Sequence, residues 1–94
     1  MKRAATRLSF PNQSRSFDDS KSRVCFWGYD SAIEVSFFVE TGALTQLCPD
    51  MSDVEAGFFQ AFDAARDNFH EVANRIYVRD GKGVYSYILS ARDF

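Results

Sequence analysis

Asp63, Arg66 and His70 stand three and four residues apart, the spacing at which side chains meet on one flank of a helix. Winding at about 100° per residue from Phe62 places Arg66 at about 40°, Phe59 and Tyr77 at about 60°, His70 at about 80° and Asp63 at about 100°. An Asp–Arg pair beside an imidazole could hold an anion or polarise a substrate, and His70 is the only side chain here whose ordinary titration lies near neutrality. With Tyr29, these residues would form a small-ligand or enzymatic site if a cleft opened between helix edge and sheet. The plainer reading of the same spacing is a weak surface ion pair beside a half-exposed imidazole, with Arg66 lying over the sheet edge.

No other grouping has the form of a reactive centre. The chain lacks GxSxG, P-loop, GxGxxG and HExxH patterns and has no second histidine for a relay, so no catalytic residue is assigned. Cys25 and Cys48 match neither a metal-ligand pair nor a CxxC motif, and they read as small buried thiols; a disulfide between them is open on spacing alone. No metal site and no cofactor are expected.

The elements that must position these residues follow from hydrophobic period. Val54, Phe58, Phe62, Ala65, Phe69, Val72 and Ile76 recur every three or four positions, predicting one long amphipathic helix over 52–80. Ser52 and Glu55 form a predicted capping box at its start, and Gly81 is placed to close its end. About 28 residues of helix would run about 42 Å, against roughly 20 Å for a strand, so the excess must bend, project or meet a second subunit. Ile33, Val35, Phe37 and Val39 alternate with Glu34, Ser36, Phe38 and Glu40, the period of a strand with one face on the core. Further strands are predicted at 7–10, 15–17, 24–27 and 84–89, with a short helix at 43–47 that has Thr41 near its N-cap and ends before Pro49. The fold class is α+β: a two-layer sandwich with a mostly antiparallel three- to four-stranded sheet, in the order β-β-β-α-α-β, and the long helix on one face. The partner of the final strand is open at this level.

In such a sandwich Phe38 turns away from the helix, beside alternate residues of the neighbouring strands drawn from Trp27, Tyr29, Tyr85 and Tyr87; which parity of 24–29 and of 84–89 points outward is open at this level, and either parity exposes aromatics. An aromatic sheet face of this kind stacks nucleobases or buries itself against another copy or its own N-terminal segment. Glu34 and Glu40 share its parity and repel phosphate, which favours self-association or self-covering. Charge is divided along the chain: residues 1–23 sum to +4 and the remainder to −6. The basic front would suit phosphate contacts, yet it has no dense Lys/Arg cluster, and an ordinary solvated segment accounts for it.

Ninety-four residues with 46% apolar and 16% aromatic content make a single domain, 1–94, with residues 1–6 expected to be flexible. No apolar run has the length of a secretory leader or a membrane span, which predicts a soluble cytoplasmic protein without membrane contact.

The chain also resembles a family of short bacterial proteins known as domain of unknown function 1488. The resemblance rests on Leu8-Ser9-Phe10-Pro11-Asn12, Arg15-Ser16-Phe17-Asp18, Val24-Cys25-Phe26-Trp27-Gly28-Tyr29-Asp30, Glu34-Val35-Ser36-Phe37-Phe38-Val39, Ala61-Phe62-Asp63-Ala64-Ala65-Arg66 and Leu89-Ser90-Ala91-Arg92-Asp93-Phe94. It implies a small stand-alone α+β domain and carries over no catalytic or binding residue. The expectation from sequence is a small cytoplasmic binding or interaction protein without catalysis, self-associating as a homodimer. The alternative is a nucleic-acid-associated regulator using the basic front and aromatic face, and the third reading is the ligand site at Asp63, Arg66 and His70.

Overall fold

The computed structural model describes residues 8–11, 15–80 and 84–94. The expectations for residues 1–6 and for Gly81 lie outside that set. Strands β1 (Ser16–Asp18), β2 (Arg23–Asp30) and β3 (Ile33–Glu40) form an antiparallel meander. Helices α1 (Thr41–Leu47), α2 (Glu55–Ala64) and α3 (Arg66–Asp80) then lead to β4 (Ser86–Leu89), which lies parallel to β3. A short 3-10 turn, Ala91–Asp93, comes last. The sheet order is β1-β2-β3-β4, a mixed and mostly antiparallel sheet in an α+β fold. The predicted first strand is represented by a single bridge, Ser9 to Tyr29, whose two backbone hydrogen bonds are each 2.8 Å.

Alternation sets the two faces of the sheet. Val24 and Phe26 of β2, with Val35, Phe37 and Val39 of β3, turn inward and are fully buried against Phe58, Phe62 and Phe69 of the helices. Phe26 stacks on Phe37 at 5.2 Å between centroids and meets Phe62 at 5.1 Å; Phe62 stacks on Phe69 at 5.1 Å. The apolar stripe read from the helix period is therefore the core, apart from its first member, Val54, which is 58% exposed, and Ala65, which is only partly buried.

The long helix is corrected in two respects. It is interrupted at Ala65 (φ −111°, ψ 21°), whose N–H is shared between the carbonyls of Ala61 and Phe62, each at 3.2 Å. A shared donor tightens the turn and separates α3 from α2. The predicted capping box is also absent: Val54 is the N-cap of α2 and makes no side-chain cap. The physical reason is a close crossing, because the Ser52 backbone lies directly over Gly57, where a Cβ would overlap the Ser52 carbonyl. Ser52 thus packs across the first turn rather than initiating it. Thr41 likewise opens α1 as its first residue behind Glu40, again with no side-chain cap. A capping box does form at Ser90 and Asp93, where the Ser90 N–H donates to the Asp93 carboxylate at 2.8 Å.

Replacing Phe62 by Ala, which removes a ring packed between Phe26 and Phe69, lowers stability by about 3–5 kcal/mol in chemical denaturation. Ser52→Ala changes it by less than about 0.5 kcal/mol, since no cap is lost. Gly57→Ala is destabilising despite the higher helix propensity of Ala, because the obstructing atoms are backbone.

Candidate functional site

The three polar residues predicted to share a flank are drawn to two separate places. Asp63 accepts both forks of the Arg15 guanidinium, from Nε and Nη2 at 3.0 Å each, and also accepts from Arg66 Nη2 at 2.5 Å. Arg15 lies 4.3 Å over the ring of Phe59, and Arg66 lies 5.0 Å over Phe62. The carboxylate is consumed as the shared anion of two arginines, fastening the segment before β1 to the end of α2. Both arginines use the charge and the planar face together, an arrangement lysine could not copy.

His70, one turn further on, meets the N-terminal segment instead. Its ring stacks on Phe10 at 3.9 Å with 5° between planes, and Phe26 lies 5.6 Å away. Asn74 accepts the Leu8 N–H at 3.0 Å, and the Tyr77 hydroxyl donates to Asp30 at 2.7 Å. Phe10 in turn lies against Gly28, where a Cβ would come within 2.6 Å of its ring, so only glycine admits this packing. Residues 70, 74 and 77 of α3 together clamp the segment from Leu8 to Phe10 and the end of β2. Partners 47 and 66 residues away in sequence supply no local signal.

Two shallow grooves accompany these contacts. One of about 300 Å³ is lined by residues 63–68 at the junction of α2 and α3, and one of about 270 Å³ is lined by Phe10, His70, Glu71 and Asn74. Asp63 and Arg66 line the first and His70 the second, while Tyr29 is on the outward parity of β2, on the opposite side of the sheet. The fourfold grouping is not assembled around one cleft. Among the described residues no group of three or more His, Cys, Asp or Glu is placed to hold a metal ion, and no helix is long and apolar enough to cross a membrane. Both cysteines are free thiols; burial pushes the Cys25 thiol up from its ordinary value.

The remaining candidates, Trp27, Tyr29 and Phe38, do share a surface. In the β2–β3 register Cys25 is opposite Phe38, Trp27 opposite Ser36 and Tyr29 opposite Glu34, all turned away from the helices. Phe38 is level with Ile88 across β4, so Cys25, Phe38 and Ile88 make an apolar row across three strands. Sequence reasoning misses Cys25 and Ile88 as members of this surface, although period two from Trp27 reaches the first directly. Arg23 stands 4.3 Å over the Phe38 ring and pairs with Asp18 at 3.3 Å, which leaves the acidic Glu34 and Glu40 to set the charge of this face.

The His70 stack has a measurable pH signature. Burial, reinforced by the Arg66 charge and opposed by Asp67, holds the imidazole below its ordinary value, so the folded state binds the proton less readily than the unfolded chain. This contribution to stability is complete above the unfolded value of about 6.5 and is lost as pH falls through the lower folded value. Thermal melts between neutral and mildly acidic pH will show that loss in the wild type and a smaller one in His70→Phe, which keeps a ring against Phe10 and cannot take a proton.

No curated protein and no solved structure matches the chain. The family model of proteins of unknown function designated DUF1488 matches residues 8–89, which include the bridge at Ser9, the whole helical layer and all four strands. The chain belongs to that family.

Proposed function

We propose that this chain is a small cytoplasmic interaction protein without catalysis, which works as a self-associated assembly. The observation that carries the reading is the one-sided use of apolar surface: Trp27, Tyr29 and Phe38 are half-buried on a sheet face that none of the described helices covers, and Val84, Tyr85 and Ile88 are exposed beside it. Apolar surface concentrated in one region is the usual mark of a contact surface rather than of ordinary solvated exterior. The use of the polar candidates supports the same reading. Asp63 and Arg66 are committed to an ion-pair cluster within the chain, at its surface, and His70 is held by ring contacts with Phe10 and Phe26.

A ligand or enzymatic site at the helix edge is less well supported, because its residues open onto separate grooves. Nucleic-acid binding is opposed by Glu34 and Glu40 on the aromatic face and by the internal pairing of Arg15 and Arg23.

Sedimentation equilibrium at high micromolar concentration is expected to give a mass above that of one chain, and a strict monomer would remove the proposal. Single-stranded RNA at low salt is expected to leave Trp27 fluorescence unchanged. Quenching that weakens steeply as salt rises would transfer the assignment to the nucleic-acid reading.

A further inference from the structure

We propose that two copies of this chain join edge to edge through β4, antiparallel and about a two-fold axis, to give one continuous eight-stranded sheet. This rests on the self-association reading and names the surface that performs it. The Ser36 N–H donates to the Tyr85 carbonyl at 3.0 Å, so by alternation along the parallel ladder the backbone groups of Tyr85, Tyr87 and Leu89 face β3. Those of Ser86 and Ile88 point the other way, and β4 is the last strand of the sheet.

The two edges are treated differently. At the far side β1 is three residues long and carries Asp18, with Arg15 just before it, and a single bridge from Ser9 reaches Tyr29 near the end of β2. Short length and charge are the usual guards of an edge. Residues 84–89, Val-Tyr-Ser-Tyr-Ile-Leu, contain neither a charge nor a proline. Three of the exposed large apolar side chains, Val84, Tyr85 and Ile88 at 55%, lie on this segment, and a fourth, Ile33, begins the adjoining strand.

Charge favours the edge over the face, and the open backbone row of β4 is matched by the identical uncharged row of a second copy running antiparallel to it. Stacking two aromatic faces would set Glu34 and Glu40 of each against the same residues of the other. The strand itself is neutral and adds no repulsion. An isologous pair of this kind closes both free edges at once and leaves the Trp27–Phe38 surfaces of the two copies side by side, doubling the platform.

Proline at position 86 tests this directly, because its missing N–H is one that faces away from β3, a place where an edge strand tolerates proline. Sedimentation equilibrium is expected to show a dimer for the wild type and for Ser86→Ala, and a dissociation constant raised at least about tenfold for Ser86→Pro, with an unchanged far-ultraviolet spectrum. In the wild type, amide exchange at Ser86 and Ile88 is expected to be slow in concentrated solution and fast on dilution, a readout that stands even where the proline variant does not fold. A wild type that stays monomeric overturns both this inference and the self-association reading. A dimer that survives Ser86→Pro yet dissociates in Trp27→Ser overturns the edge pairing alone, as do Ser86 and Ile88 amides that exchange freely at every concentration.

Discussion

The ring of Phe26 is the interaction on which the rest of this structure depends. It stacks on Phe37 of the neighbouring strand, meets Phe62 of α2, and touches both Phe10 of the N-terminal segment and His70 of α3. Through Phe62 the series continues to Phe69, and from there to Phe94 in an edge contact at 5.1 Å. Sheet, both long helices and the two described ends of the chain are tied by successive ring contacts. Each aromatic pair contributes about 0.5–1.5 kcal/mol beyond its burial. For a 94-residue chain, whose core is small relative to its surface, nine of the ten phenylalanines lie in or against the core and supply the volume that a larger domain would draw from many aliphatic residues.

A core built this way is one-sided. The inward positions Val24, Phe26, Val35, Phe37 and Val39 are covered by the helices, and the apolar stripe is used up in doing so. The opposite sheet face receives no layer from the described residues, and its aromatic side chains are shielded by neighbours within the face, as where Arg23 lies over Phe38. Polar side chains along the helix edge have a different task. Asp63, His70, Asn74 and Tyr77 each hold a segment from another part of the chain, and so they act as fasteners between layers. The spacing that suggested chemistry thus reflects a helix edge lined with partners.

This division also explains why β4 is exposed. A strand that returns parallel to β3 after three helices comes to lie at the sheet margin, with one row of backbone groups paired and one row open. Its side chains alternate between the faces: Tyr87 stacks inward on Phe37 at 5.5 Å and meets Tyr77 edge-on at 6.1 Å, while Ile88 stands outward. The strand is therefore anchored firmly enough to present an ordered edge.

By itself the sequence determined whatever depends on local period and parity. Alternation along β3 settled that Val35, Phe37 and Val39 face the core, although Ile33, expected with them, begins the strand and stays 47% exposed; the spacing of Phe58, Phe62, Phe69, Val72 and Ile76 settled which side of the helices is buried. It also placed Phe38 on the outer face, because a two-residue period leaves no other choice. Tertiary structure decided what depends on who stands opposite. No proline or glycine marks the break at Ala65; Ser52 lost its capping role to a crossing over Gly57. Asp63 acquired Arg15 from 48 residues away, and the last strand acquired β3 as a parallel neighbour. Periodicity records the side on which a residue is apolar, and only packing of the whole chain selects the partner that meets it there.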